Sequence, residues 1–361
     1  METVKNIPSR NYKGYIQGLK GFACLMVMLG HYIGLYKYAD NLSFSWPLAD
    51  WFLSSPIKFL LNESFWVVLF WVVSGYLVAM SRVDSLKKLA VKAVSRFLRL
   101  GLPILVACLI IYVIGVTVGF HTTASSSLFE NEFIQRYYTT GISIWDALKS
   151  PIDILLLGNA SLNSPYWVLK DMFISSLVIY GLTYLRSRIW NKNISFLIAL
   201  AVWVGSVVLS NILFASLFGM FVCWVERDAE AFLKNKLFIW ALLGFSFLLY
   251  MLSAAEISNL FFAALIVLIP QLPLLNGIFS CRAATFVGKI SFGIYSFHWP
   301  LFCSVGMLLI LLLSGAVGLM WACVIAMVVS IAATFAFSIV YYYGVEQWIY
   351  RLLKKVEIWF S

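Results

Sequence analysis

Charge is scarce in this sequence. Asp, Glu, Lys and Arg make up 12% of its 361 residues, about half the share of an ordinary soluble domain. Hydrophobic residues make up 62% and the mean hydropathy is +0.91. That leaves too little polar surface to cover a chain folded in water, which excludes a soluble globular protein. Cysteine pairing is missing as well. The six cysteines (Cys24, Cys108, Cys223, Cys281, Cys303 and Cys323) are scattered singly with no CxxC pair. A disulfide framework or zinc site is therefore not expected, and no metal centre is assigned. The basic N-terminal stretch has no short apolar core followed by a small-residue cleavage site, so the first apolar run reads as a retained span. No internal repeat is evident, and residues 1–361 read as a single membrane-embedded domain.

Long apolar runs are what the sequence has in abundance. A helix needs about 20 apolar residues to cross a bilayer. On that basis spans are expected near 14–36, 59–80, 100–120, 165–185, 194–210, 211–225, 237–252, 259–275, 290–313 and 317–342. The expected fold is an all-α integral membrane protein of about ten transmembrane helices. The division between the fifth and sixth spans falls at "LSNILF". Placing both termini inside puts 20 of the 26 Lys and Arg residues on inner segments, six of them in 81–99. The outer segments hold only Lys37, Lys58, Arg136 and Lys149. This asymmetry orients the termini to the cytoplasm and supports an even number of spans. It also explains the net charge of +10 through membrane lipids rather than nucleic acid. The longest outer segment, 121–164, is Ser/Thr-rich and reads as a polar loop, either a lid facing an acceptor or an inert surface loop.

Several polar residues interrupt the apolar runs. In "GLKGFACLMVMLGH", Lys20 and His31 are eleven positions apart, which returns them to one helix face within roughly 20°. Their axial separation is about 16 Å, half the hydrocarbon thickness. One polar face would thus join the inner membrane surface to mid-bilayer. The alternative is that Lys20 snorkels and His31 is a satisfied core imidazole. His298 lies early in the ninth span, nine residues after Lys289 and one turn after Tyr295. It is either functional or an orienting group beside the kink at Pro300. Arg96 and Arg99 are helical neighbours that either anchor at lipid headgroups or fork onto phosphates. Ser74 and Gly75 sit where small residues normally mean close helix packing. Glu63, Asp171 and Glu346 are the remaining ionisable outliers, and Asp171 points about 100° away from Lys170.

Taken in order, these stretches resemble the membrane acyltransferase family 3, whose members O-acylate bacterial surface glycans and related acceptors. The resemblance rests on the basic-to-His pattern of Lys20 and His31 and on the aromatic run into Ser-Gly in "LFWVVSGYLV". It continues through Arg-x-x-Arg with a following proline in "RFLRLGLP" (Arg96, Arg99, Pro103) and the Trp-x-Leu stretch opening at Trp167 in "YWVLKDMF". The late signature "VGKISFGIYSFHWPL" carries Lys289, Tyr295 and His298, and "GVEQWIYR" supplies an acidic residue, Glu346, at the end of the last span. Lys20 stands where Arg is commoner, and the proline that usually follows the terminal Glu is missing.

The resemblance implies transfer of an acyl group, usually acetyl, from cytoplasmic acyl-CoA to an acceptor hydroxyl in the inner membrane of a bacterium. The acceptor would be a glycan or lipid-linked sugar, and the chain would be the stand-alone form without an SGNH hydrolase domain. His31 would be the general base or a transient acyl carrier. Ser74, Tyr295 or His298 would position the thioester or stabilise its oxyanion, while Lys20, Arg96 and Arg99 would meet the CoA phosphates. The rival reading is a transporter or flippase for a glycan or acyl donor, which polar residues at mid-membrane fit equally well.

Overall fold

A computed structural model of the chain describes residues 14–37, 51, 54–129, 132–139, 141–189, 191–209, 213–228, 235–252 and 258–360. The basic segment 1–13, the outer segments 38–50 and 253–257, and residues 210–212 within "LSNILF" lie outside the described residues. Among the described residues the chain is helical, with no strand.

The helices are α1 (Gly14–Lys37), α2 (Glu63–Ala79), α3 (Leu86–Thr117), α4 (Thr122–Phe129), α5 (Glu132–Gln135), α6 (Ile144–Ile152), α7 (Trp167–Arg188), α8 (Lys192–Leu209) and α9 (Leu213–Asp228). They continue with α10 (Lys236–Met251), α11 (Ser258–Leu268), α12 (Pro273–Ser280), α13 (Arg282–Lys289), α14 (Ser291–Leu301), α15 (Met307–Val317), α16 (Leu319–Tyr341) and α17 (Gln347–Phe360). Single π-turns at Asp153–Leu157, Phe302–Gly306 and Tyr342–Glu346 interrupt or join them.

Among the described residues, five helical stretches are long and apolar enough to cross a bilayer: Gly14–Ile33, Leu86–Thr117, Ser164–Arg188, Ser291–Val317 and Leu319–Lys355. A sixth arises if the bent pair Ser258–Gln271 and Pro273–Ser280 is one span. The apolar runs expected as spans at 59–80, 194–210 and 237–252 form shorter helices, at 63–79, 193–205 and 236–251. The physical reasons are local. The run expected at 59–80 crosses a 3₁₀ turn at Pro56–Leu61, and its helix starts only where the Asn62 side chain accepts the Phe65 amide at 3.2 Å. The run expected at 259–275 bends by 100° before Pro273, which cannot donate the amide a continuing helix needs.

The segment 121–164 is corrected as well, while the helix expected through Arg96 and Arg99 is present. Segment 81–99 is helical from Leu86, where Ser85 caps the Lys88 amide at 3.2 Å and the 32-residue α3 begins. Segment 121–164, expected as a polar loop, contains α4, α5, α6 and a π-turn. Its Thr122, Ser125, Ile134, Ala147 and Leu155 side chains are buried against the bundle.

Close packing fixes the rest. A β-carbon on Gly75 would lie 1.7 Å from the Ser216 carbonyl oxygen, and one on Gly219 would lie 1.9 Å from the Val72 carbonyl. The α2–α9 pair therefore meets backbone to backbone, as small residues permit in membranes. This bears out the packing reading of the Ser74-Gly75 stretch for Gly75. On its inner half α1 packs on α12 and α13, and it also touches α2 and α14. The core lies where α1, α2, α3, α7, α14 and α16 converge, and the site is built there.

Candidate active site

The site begins with a defect in a helix. All of α14 except Phe292 is buried, and Pro300 sits within it. Proline has no amide, so the carbonyl of Ser296, four residues earlier, loses its helical partner. Asn163 supplies the replacement, its side-chain Nδ2 donating to that carbonyl at 2.9 Å. The π-turn at Phe302–Gly306 opens the ladder again, and the His121 amide donates to the Cys303 carbonyl at 3.0 Å. Tyr166 donates to the Ser296 hydroxyl at 2.7 Å, and the Tyr295 hydroxyl donates to the Pro165 carbonyl. The segment between α3 and α7 is thus held on α14 where α14 is irregular.

On that irregular helix, His298 meets His31 of α1, with Nε2 of His298 and Nδ1 of His31 2.8 Å apart. The rings are nearly parallel, at 8° between planes and 5.1 Å between centroids. Chemistry fixes the protons. His298 Nδ1 lies 2.9 Å from the Ile294 carbonyl oxygen, which can only accept, so Nδ1 carries the proton. Neutral His298 then offers a lone pair at Nε2, which accepts the proton on His31 Nδ1. His31 is left with a lone pair on its own Nε2, which makes no hydrogen bond to the described residues. Tyr32, next to His31, donates to the His298 carbonyl at 2.9 Å and locks the two helices together. Among the described residues no cluster of three or more potential metal ligands forms around the pair.

His31 lines a small cavity of about 40 Å³, together with Tyr137, Ser164, Pro165, Trp167 and Trp299. Trp299 packs edge-on to both His31, at 5.6 Å, and Tyr137, at 5.0 Å. Trp167 is half exposed at the cavity and rests edge-on against Trp71 at 5.6 Å. Half of the lining residues, Tyr137, Ser164 and Pro165, therefore come from the segment between α3 and α7, beside a partly buried base.

A second polar group lies toward the other end of α1. Lys20 feels the charges of both Glu346 and Arg96. Arg96 is aimed by two hydroxyls, its Nη2 donating to Ser74 at 2.9 Å and its Nε to Ser176 at 3.0 Å. Arg96 and Arg99 both act electrostatically on Tyr350. Glu346 is 2% exposed; the Tyr350 hydroxyl donates to its Oε2 at 3.4 Å, and its buried Oε1 has no hydrogen-bond partner among the described residues.

The residues singled out in the sequence thus divide between two places. His31, His298 and Trp167 belong to the histidine pair and its cavity, while Lys20, Ser74, Arg96, Arg99 and Glu346 belong to the charged cluster. Ser74 is hydrogen-bonded to Arg96, and Tyr295 spends its hydroxyl on Pro165, with its ring centroid 6.1 Å from that of His298. Both side chains position their neighbours. Glu63 sits in the first turn of α2, Asp171 is half-buried on α7, and Lys289 is exposed at the end of α13; none joins either group. Sequence reasoning missed Tyr32, Asn163, Tyr166, Ser176, Ser296 and Trp299. Two of these adjoin the histidines in the chain, and the carbonyl freed by Pro300 was the readable signal for a partner such as Asn163.

A family model described as "Acyltransferase domain" matches residues 13–343, a range containing every residue of the histidine pair, the cavity and the cation set. No curated protein and no solved structure matches the chain.

Proposed function

We propose that this chain, which belongs to the membrane acyltransferase family 3, moves a short acyl group, acetyl in the simplest case, from cytoplasmic acyl-CoA to a hydroxyl of a cell-envelope glycan or lipid-linked sugar. The observation that carries the mechanism is the chain of hydrogen bonds from the Ile294 carbonyl through His298 to His31. It leaves the His31 Nε2 lone pair as the available base beside an open cavity. His31 removes the proton from the acceptor hydroxyl, and the oxygen attacks the thioester carbonyl. The carbon–sulfur bond breaks, and the proton passes from His31 to the departing thiolate, giving an ester and free CoA. His298 accepts from the imidazolium that forms in between and holds its orientation.

Distance supports the donor assignment. The eleven residues from Lys20 to His31 span about 16 Å along the helix. The pantetheine arm of CoA, from its phosphate oxygen to its sulfur, is twelve bonds long, roughly 15 Å when extended at standard bond dimensions. Phosphates held by Lys20, Arg96 and Arg99 would therefore deliver the thioester to His31. In this reading about ten helical segments cross or enter the cytoplasmic membrane of a bacterium, both termini are cytoplasmic, and the cavity faces outward to the acceptor.

The test is acceptor-dependent release of CoA thiol from acetyl-CoA by purified protein, comparing the wild type with His31→Ala. Loss of transfer with an unchanged elution profile and thermal midpoint is expected. Unchanged acylation by the variant would sink the assignment of His31, and failure of acetyl-CoA to serve the wild type would sink the donor.

A further inference from the structure

Glu346 is a buried carboxylate that the transfer chemistry leaves unused. Burying an acceptor oxygen without a donor costs free energy that most proteins avoid. Yet Oε1 of Glu346 has no partner among the described residues, in a residue only 2% exposed. Its electrostatic neighbour Lys20 does not relieve it. The two attract each other, but no contact ion pair joins them among the described residues. The π-turn Tyr342–Glu346 ends at this residue, so the helix from α16 into α17 is locally widened where the carboxylate projects. A buried acidic oxygen left without a donor at a π-turn is how a ligand contact looks before the ligand arrives.

The proposed donor has a group that fits. Its phosphates would repel the carboxylate and its thioester has no hydrogen to give, but its pantetheine arm carries two amide N–H groups. The nearer amide nitrogen lies five bonds, roughly 6 Å, from the phosphate oxygen. That matches a carboxylate within electrostatic reach of the phosphate-binding lysine but outside contact with it. We propose that Glu346 Oε1 accepts a hydrogen bond from a pantetheine amide of the acyl donor, making Glu346 a donor-specificity residue. This rests on the acyl-CoA reading above.

The experiment compares two donors, acetyl-CoA and acetyl-pantetheine, the second having both amides and no nucleotide phosphates. Glu346→Ala is expected to lower kcat/KM for both donors by a similar factor, about tenfold or more for a lost charge-assisted bond. Lys20→Ala should lower it for acetyl-CoA only. Glu346→Gln, which keeps an acceptor oxygen in a side chain of the same size, should lower it less than alanine and again equally for both donors. This variant carries the test if the alanine variant does not fold. A loss confined to acetyl-CoA would mean that Glu346 acts only through the phosphate-binding cations, and no loss with either donor would mean that its orphan oxygen is idle. Each result overturns the proposal. Failure of both donors with the wild-type protein would instead overturn the acyl-CoA reading itself.

Discussion

Replacing His298 by alanine removes the acceptor for the His31 Nδ1 proton, and the size of the effect follows from that one bond. In the resting protein the bond joins two neutral rings 2.8 Å apart. Once His31 has taken the acceptor proton, the same bond is donated by an imidazolium, and hydrogen bonds to charged groups are worth about 1.5–3 kcal/mol. At about 1.4 kcal/mol per decade of rate, kcat should fall roughly 10- to 150-fold. Donor KM should stay near wild type, because on the proposed reading the donor phosphates would meet Lys20, Arg96 and Arg99, away from His298. His31→Ala should cost more, about 10²- to 10⁴-fold for loss of a general base. The double variant should be no worse than His31→Ala alone, since His298 acts through His31. His298→Gln, whose oxygen can still accept from Nδ1, should recover part of the rate. The assay is steady-state release of CoA thiol in the presence of acceptor, with the thermal midpoint measured on each variant. Additive losses in the double variant, or a His298→Ala effect confined to KM, would refute the relay.

Three further outcomes follow from the packing and the caps. Gly75→Ala drives a β-carbon to within 1.7 Å of the Ser216 carbonyl, so α2 and α9 must separate. The expected cost is about 1–3 kcal/mol, seen as a lower thermal midpoint, whereas Ala at the open Gly181 should be silent. Asn163→Ala leaves the Ser296 carbonyl without its donor at a buried site, which should cost about 1–3 kcal/mol and speed amide exchange across 159–167. Asp146 closes the capping box of α6, and hydrogen bonds from the Ser143 amide and hydroxyl hold its carboxyl below the usual carboxylate range. A carboxyl lower in the folded than in the unfolded state stabilises at neutral pH and loses that contribution as pH falls through its folded value. Amide exchange at the start of α6 should therefore accelerate below about pH 4, the ordinary carboxylate range. In Asp146→Asn it should already be faster at neutral pH and insensitive to acid.

Much of this architecture could be read from the chain, because membrane helices announce themselves by apolar length. The helix carrying Lys20 and His31 was expected at 14–36 and runs from Gly14 to Lys37. Continuity was harder to read, since a window that counts apolar residues passes over the 3₁₀ turn at Pro56–Leu61 and the 100° bend before Pro273. The shared face of Lys20 and His31 follows from helical geometry alone. The meeting of His31 with His298, 267 residues away, does not, because no local period encodes a contact between helices. Ser74 shows the same limit. Its neighbour Gly75 fills the packing role that small residues suggest, while Ser74 itself turns to Arg96. The segment 121–164 looked like a polar loop because its hydroxyls are counted as solvent-facing. Several are buried, and Thr122 and Ser125 spend theirs on nearby backbone carbonyls.

The irregularity of α14 has a consequence for timing. The two bonds that clasp the Asn163–Tyr166 turn to the Ser296 position originate two residues before His298 on the same helix. Any movement of that turn to widen the cavity must release them, and with them part of the restraint on the ring that aligns His31. Opening and alignment are then opposite states of one clasp. A gaping site would hold a poorly oriented base, so whatever entered it would meet water before it met a competent catalyst. Full basicity would return only when the turn settles back around something that fills the space.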